Sequence, residues 1–137
     1  MIKSTVGHVV FHVDPINLAF YKALFNFLGW PVWYDDPGML GVGNDKGISL
    51  WFGKKLKDYS NDYDGPGMNH LAISVESVAD VDETVTYLQQ QGVETLFETP
   101  RHRPEFSSSP DKTYYQVMFE SPDRILFEVV YTGPVSN

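Results

Sequence analysis

The sequence predicts an α+β fold made of two tandem βαβββ modules, whose curved mixed sheets leave a cleft. The main observation is a repeat, because the strand-like residues 7–13 have a counterpart in residues 69–75, with a histidine at the same place, His8 and His70. In both copies a capped helical stretch and three more strand-like segments follow, which is the second observation. Two copies of one module therefore predict the fold and a pair of matched histidines.

The repeat also predicts the domain organisation. We expect one domain over residues 1–137, with a first module at about residues 1–53 and a second at about 68–133. Residues 54–67 are rich in Asp, Tyr and Gly, which is typical of a linker.

The first module begins with a strand at about residues 4–13. Asp14 followed by Pro15 predicts a helix start, because Asp caps free amide groups and Pro is tolerated at the first helical position. Apolar residues at helical spacing continue to Gly29, which favours a left-handed C-terminal cap. Three short strands are expected next, at residues 32–34, 39–43 and 48–52.

The second module repeats this order after the strand that carries His70. Ser77 with Asp80 three residues later resembles a capping box, and Gly92 ends the helical stripe as Gly29 does in the first copy. Residues 99–113 contain three prolines and predict a long loop, and loops of that length are often functional. The remaining strands are expected at residues 93–98, 114–119 and 125–131.

Composition limits the classes of partner. Hydrophobic residues make up 42% of the chain and aromatic residues 15%, which is enough for a packed interior. The absence of cysteine excludes disulfides and thiolate metal sites. A net charge of −8 disfavours nucleic acid and anionic membrane surfaces as partners, because both bind basic patches. The basic residues 101–103, including His102, are expected in a solvated loop. No segment reaches the ~18 apolar residues of a membrane span and no leader is evident, so we expect a cytoplasmic protein.

His8, His70 and Glu128 form a candidate metal site. Glu128 lies in an apolar strand, where a carboxylate needs a cation or strong hydrogen-bond donors. Two imidazoles and a carboxylate suit Fe, Mn, Ni, Co or Zn and leave coordination positions open for substrate and water. The alternative is that both histidines are ordinary hydrogen-bonded residues and that Glu128 is half-exposed near an edge. His12 shares a face with His8 about 7 Å along the strand, and it is a candidate for substrate contact.

These residues resemble the vicinal oxygen chelate superfamily, which includes glyoxalase I, fosfomycin-resistance thiol transferases, methylmalonyl-CoA epimerase, extradiol dioxygenases and the metal-free bleomycin-resistance proteins. The resemblance covers nearly the whole chain. It rests on the two histidine strands, on Ala19-Phe20-Tyr21 with Leu28-Gly29 behind it, and on Ser121-Pro122-Asp123 leading to Phe127-Glu128-Val129. Residues 100–106 and 114–119 are similar to a branch of small glyoxalase-like proteins. The resemblance implies the fold and a homodimer but no single reaction, because the superfamily hosts many chemistries.

By position, the resemblance assigns His8, His70 and Glu128 to three of the family's four metal-ligand sites. Matching residues 48–50 with residues 127–129 places Ser49 at the fourth, where glyoxalase I-like proteins carry a carboxylate that also moves the substrate proton. Ser49 is a poor ligand and a poor base, so glyoxalase I activity is disfavoured and a three-ligand set is expected. Arg124 stands where the family usually has a glycine, and we expect an altered turn there.

The leading hypothesis is a metal-dependent lyase, isomerase, transferase or dioxygenase that chelates a small oxygen-bearing substrate. Tyr114 or Tyr115, whichever faces the cleft, is expected to donate a hydrogen bond to the developing oxyanion. Trp51 is expected to form an aromatic wall beside Ser49, although ordinary core packing is the alternative for all these aromatic residues. The competing hypothesis is a metal-free, bleomycin-resistance-like protein that sequesters a planar or cationic small molecule on aromatic faces. A small-molecule sensor or an inactive relative is the third reading.

Overall fold

The computed structural model describes residues 1–135, in which residues 1–60 and the chain from Asn61 onward form two compact units. No helix among these residues is long and apolar enough to cross a membrane. The first unit contains β1 (His8–Val13), α1 (Leu18–Phe27), β2 (Val32–Asp36), β3 (Met39–Gly43) and β4 (Ser49–Lys54). The second contains β5 (Leu71–Ser74), α2 (Val78–Gln90), β6 (Thr95–His102), β7 (Tyr115–Glu120) and β8 (Leu126–Tyr131).

Both units have the same sheet topology, which confirms the predicted pair of βαβββ modules. The strand orders are β1-β4-β3-β2 in the first unit and β5-β8-β7-β6 in the second. In each sheet the first strand runs parallel to the last strand of its module, while the other pairs are antiparallel. The strand that begins at His8 and the strand that begins directly after His70 are therefore each hydrogen-bonded to the strand that ends the same module.

The first unit departs from the prediction at the start of β1 and at the start of α1. β1 begins at His8 rather than near residue 4, because its pairing with β4 starts at the bond from Ser49 N–H to the Gly7 carbonyl, 3.2 Å. Asp14 caps the next segment by accepting from the Ile16 amide at 3.2 Å, but this first turn is a 3₁₀ turn (Pro15–Asn17) and α1 follows it. The cap is therefore where it was expected, and the α-helix starts three residues later.

Helix α1 covers the face of its sheet that carries Phe11. The ring of Phe52 is stacked against Tyr21 on the helix, with centroids 4.3 Å apart, and against Phe11 at 5.2 Å. Phe52 is fully buried, so its side chain contributes about 2–3 kcal/mol to folding. Because side chains alternate along a strand, the opposite face of the sheet presents His8 and His12.

The second unit has the predicted cap at the start of its helix. Ser77 Oγ accepts from the Asp80 amide at 3.1 Å, and Asp80 Oδ2 accepts from the Glu76 amide at 3.1 Å. The Asp80 side chain therefore binds the amide of Glu76, the residue before the cap, whereas in a capping box it would bind the amide of the cap residue itself. Gly92 follows the helix with φ of +69°, as Gly29 follows α1 with φ of +82°.

The loop predicted over residues 99–113 begins later in the structure, because β6 continues to His102. The ladder with β7 is interrupted between Leu96 and Arg101, where Phe97 and Glu98 have φ near +60° and a cis peptide precedes Pro100. Pairing resumes at Arg101, opposite Gln116. The proline therefore lies in an irregular stretch where the ladder needs no amide donor.

Candidate metal and ligand sites

The Glu128 carboxylate lies at the centre of the second unit. It projects from the middle of β8, between β5 and β7, with Ala72 and Met118 as its cross-strand neighbours. Its side chain is only 1% exposed, so the edge position considered from the sequence is wrong. A carboxylate at this depth is costly unless donors or cations surround it.

Tyr114 is the first of these donors. Its hydroxyl donates to both oxygens of Glu128, at 3.1 and 3.0 Å. Burial raises the pKa of Tyr114 to about 12, with further contributions from the charge of Glu128 and from the hydrogen bond. The phenol therefore stays protonated at neutral pH and acts as a hydrogen-bond donor.

Tyr115 points to the other side of the sheet, as strand alternation requires. Its hydroxyl donates to Asp82 Oδ1 on α2 at 2.6 Å. Burial raises the pKa of Tyr115 to about 12 as well, with a smaller contribution from the hydrogen bond that it donates to Asp82. Of the two tyrosines singled out from the sequence, the structure thus brings only Tyr114 to Glu128.

Gln116 and Arg103 extend the network around the carboxylate. Gln116 Nε2 donates to Glu128 Oε2, and Gln116 Oε1 accepts from Arg103 Nε at 2.9 Å. Arg103 also donates to the Phe97 carbonyl at 3.1 Å, and its side chain is 21% exposed. The expectation of a fully solvated basic loop is therefore wrong for Arg103, whose guanidinium fixes the orientation of the Gln116 amide.

His70 completes the group, and Asn69 fixes its orientation. Asn69 Nδ2 donates to the Tyr63 carbonyl at 2.8 Å, which leaves Asn69 Oδ1 facing His70 Nδ1 at 2.8 Å. A carbonyl oxygen only accepts, so Nδ1 carries the hydrogen and the lone pair of a neutral ring is on Nε2. Nε2 lies 3.4 Å from Glu128 Oε1. A lone pair and a carboxylate oxygen at this distance repel unless a proton or a cation interacts with both.

This pair fits a divalent metal ion. Two donor atoms that each lie ~2.1 Å from one ion, at an angle of about 108°, are separated by about 3.4 Å, as Nε2 and Oε1 are here. Imidazole and carboxylate suit the first-row ions expected from the sequence. Within residues 1–135 the structure shows no group of three His, Asp or Glu side chains that could hold an ion. The three-ligand set with His8 therefore stays a prediction.

The first unit contributes a polar and aromatic sheet face. His8 pairs with Ser49 across β1 and β4, and Trp51 Nε1 donates to Ser49 Oγ at 3.0 Å. Ser49 is buried, whereas His8 is exposed, and His12 is exposed further along β1, opposite Gly53.

The indole rings on this face lie over glycines. A Cβ on Gly41 would clash with the Trp51 ring, and one on Gly43 would clash with the Trp33 ring. Trp33 is 52% exposed and Tyr34 46%, so the face presents a broad aromatic surface. Trp33 and Tyr34 were not singled out from the sequence, although they stand together in a predicted strand.

The match between the two modules corrects the position assigned to Ser49. In the turn before β4 the Asn44 amide bonds to the Ile48 carbonyl, and in the turn before β8 the Ser121 amide bonds to that of Ile125. Gly47 and Arg124 occupy the equivalent left-handed position, with φ of +81° and +57°.

The same equivalence continues into the strands. Counted from these turns, Trp51 corresponds to Glu128, and Ser49 corresponds to Leu126. The strand registers agree, because Trp51 lies opposite Val10, two residues after His8, and Glu128 lies opposite Ala72, two residues after His70. The sequence alignment was therefore two residues out of register, and an indole stands at the position equivalent to the carboxylate.

Arg124 adopts the conformation expected of the glycine it replaces, so the expected change in the turn is not seen. Its guanidinium lies over the Tyr63 ring, 5.4 Å from the centroid, and 3.6 Å from Glu120. These contacts hold a non-glycine residue in the left-handed region.

Comparisons with known proteins agree with this architecture. Residues 5–129 match the Glyoxalase/Bleomycin resistance protein/Dioxygenase superfamily. Similar solved structures include a glyoxalase-like protein from Bacillus halodurans, which is 26% identical with a TM-score of 0.77 over 94% of this chain and 96% of that one. A protein from Agrobacterium tumefaciens is 25% identical with a TM-score of 0.67, over 96% and 99% of the two chains.

A more distant structure shares the fold. The fosfomycin resistance protein FosX from Listeria monocytogenes, complexed with Mn(II) and sulfate, is 18% identical with a TM-score of 0.64, over 95% of this chain and 91% of that one. No curated protein matches the chain. Because the family match spans nearly all of its length, the chain belongs to the Glyoxalase/Bleomycin resistance protein/Dioxygenase superfamily.

Proposed function

We propose that this chain is a metal-dependent enzyme in which His8, His70 and Glu128 bind a divalent ion that holds a small oxygen-bearing substrate. The observation that carries the proposal is the pair of His70 Nε2 and the buried Glu128 carboxylate, 3.4 Å apart. Asn69 holds the ring so that the Nε2 lone pair is available as a ligand. A divalent ion bound there supplies Lewis acidity, which stabilises negative charge on substrate oxygens.

The residues around Glu128 position the carboxylate. Tyr114 and Gln116 both donate to it, which fixes its rotamer and leaves Oε1 close to His70. Because the hydroxyl of Tyr114 is engaged with Glu128 and its pKa is raised to about 12, we assign Tyr114 to positioning and not to proton transfer. Gln116 in turn depends on Arg103 for its orientation.

The first unit lacks a base at the equivalent position. Trp51 corresponds there to Glu128, and an indole neither ligates a metal ion nor accepts a proton. We therefore propose a reaction other than that of glyoxalase I, with coordination positions left open for substrate. The sheet face of the first unit carries Trp51 and Ser49, which we propose as substrate contacts. His12 lies further along the same face.

The test is metal content by plasma mass spectrometry. The protein is purified without chelators and then loaded separately with Mn, Fe, Co, Ni and Zn, with Mn first because FosX was crystallised with Mn(II). We expect about one ion per chain, lost in His70→Ala and His8→Ala and retained in His12→Ala, a histidine on the same strand and face as His8. If wild-type protein binds none of the five ions, the proposal is wrong.

The exposed aromatic face of the first unit favours a second candidate, a metal-free protein that sequesters a planar cation. Aromatic faces attract cations, and the net charge of −8 further favours the binding of cations. In that case, titration with ethidium should quench the tryptophan fluorescence of the metal-free protein saturably. The affinity for ethidium should be lower in Trp33→Leu. Ethidium bound equally by wild type and variant would exclude this role for the face.

A further inference from the structure

The segment that follows β6 lines an open cavity on the second unit. The cavity has a volume of about 280 Å³. Its lining combines two side chains that carry or can carry positive charge, two hydroxyls and two prolines, and contains no acid. These residues are His102, Pro104, Ser107, Ser109, Pro110 and Lys112.

Ser107 shows that the cavity has an unmet hydrogen-bonding capacity. Within residues 1–135, its Oγ is the one buried side-chain nitrogen or oxygen atom that has no hydrogen-bond partner. Buried hydroxyls in folded proteins are almost always paired, and an unpaired one needs an explanation such as a ligand. Ser107 is also one of the residues that line the cavity, so rotation of its side chain brings the hydroxyl to a bound group that supplies the missing partner.

Lys112 supplies a positive charge to the cavity lining. Its ammonium makes no ion pair with any carboxylate within four ångströms in the described part of the chain. Its backbone is fixed on both sides, because its amide donates to the Ser109 carbonyl at 3.1 Å and the residue forms a bridge with Pro134. His102 adds a second donor from the end of β6.

The frame of the cavity is preformed. The 3₁₀ turn Pro104–Phe106 is closed by bonds from the Phe106 amide to Arg103 and from the Ser107 amide to Pro104, 3.0 and 3.1 Å. Asp111 lies beside Lys112 and accepts from the Ser109 hydroxyl at 2.5 Å, so it is the nearby charge that opposes an anion. A preformed site loses little conformational entropy when its ligand binds.

We propose that this cavity binds a small tetrahedral oxyanion of the phosphate class, held by Lys112, Ser107 and His102. Such an anion accepts several hydrogen bonds at once, which matches a buried hydroxyl, an unpaired ammonium and an imidazole converging on one cavity. The site contains none of the proposed metal ligands, so it stands independently of the proposed function. The anion is either free phosphate or the phosphate group of a larger metabolite.

The test is an NMR titration of ¹⁵N-labelled protein with inorganic phosphate at constant ionic strength, repeated with glycerol phosphate and with acetate. We expect saturable shifts of the Ser107 and Lys112 amides with both phosphates and none with acetate. Tighter binding of glycerol phosphate identifies a metabolite ester as the ligand, and tighter binding of inorganic phosphate identifies the free ion.

Two variants with opposite expected effects separate specific binding from a loss of fold. Lys112→Gln should weaken binding about tenfold or more, because it removes a charge-assisted hydrogen bond. Asp111→Asn should tighten binding severalfold, because it removes the opposing charge. Lys46→Gln, in a turn of the first unit, should leave the affinity unchanged, as should His70→Ala. Absence of saturable shifts at Ser107 and Lys112, or equal affinity in Lys112→Gln, would refute the proposal.

Discussion

Removal of the Tyr114 hydroxyl should destabilise the protein by far more than removal of the neighbouring Tyr115 hydroxyl. Tyr114→Phe keeps the ring but removes a donor that lies 3.0 and 3.1 Å from a carboxylate that is 1% exposed. A hydrogen bond to a charged group contributes about 1.5–3 kcal/mol, and the carboxylate that accepts this one is almost fully buried. The Tyr115 hydroxyl bonds to Asp82 in an exposed position, so Tyr115→Phe should cost less than about 1 kcal/mol.

The assay is urea denaturation of both variants and the wild type at neutral pH, followed by circular dichroism. With about 2.1 cal/mol/K of unfolding entropy per residue, a loss of ~1.5–3 kcal/mol in a chain of this length lowers the melting temperature by roughly 5–10 °C. Both readouts should rank the variants in the same order. Equal losses in the two variants, or a loss below about 0.5 kcal/mol in Tyr114→Phe, would show that Glu128 does not depend on this donor.

Two further predictions concern alkaline pH and the start of α2. The pKa of Tyr114 and that of Tyr115 are raised from 10.0 to about 12, so their contribution to the free energy of unfolding is complete below pH 10 and is lost as the pH rises through 12. Stability measured by urea denaturation should therefore fall over that interval. Tyrosinate absorbance should show a component that titrates near pH 12 and that is reduced in the Tyr114→Phe/Tyr115→Phe double variant; loss of a component near pH 10 instead would contradict this. Ser77→Ala removes the cap that accepts from Asp80 and should lower the free energy of unfolding by about 1 kcal/mol, whereas Ser108→Ala, in an exposed loop, should change it by less than about 0.5 kcal/mol; equal effects of the two would refute the role of the cap.

The sequence predicted the fold well because its signals are local and are present in both copies. Asp14 and Ser77 act as caps in the structure, and Gly29 and Gly92 have the positive φ expected after a helix. The strand orders of the two sheets are identical, as a repeated module requires. The caps and the glycines depend on a few neighbouring residues, and the strand order follows once the repeat is recognised.

The register of the last strands could not be predicted in the same way. Ser49 and Trp51 lie two residues apart on one face of β4, so alternation alone cannot decide which corresponds to Glu128. The geometry of the turn before each strand decides which residue corresponds to Glu128. The sequence does not show that the two turns match, because Arg124 stands where the first module has Gly47. A polar residue in a left-handed turn position carries no clear sequence signal.

The partners of Glu128 were only partly visible in the sequence. Gln116 is a polar residue inside the apolar strand β7, and this pattern indicates a buried polar partner in the same way as the pattern around Glu128 does. Arg103 gave no such signal, because its contact with Gln116 depends on the irregular path of β6 around Phe97. Charge clusters in loops are usually solvated, and here tertiary structure overrides that expectation.

Asn69 has no counterpart in the first module, where Gly7 precedes the matched histidine. The His70 ring is anchored through Asn69 to Tyr63, whereas the His8 ring has no hydrogen bond or ion pair within its own unit. The two matched histidines therefore differ in how their rings are held, because hydrogen bonds through Asn69 fix the orientation of His70 and none within the first unit fixes that of His8. Binding of a ligand by His8 therefore carries the entropy cost of ordering its ring, a cost that the anchored ring of His70 does not carry.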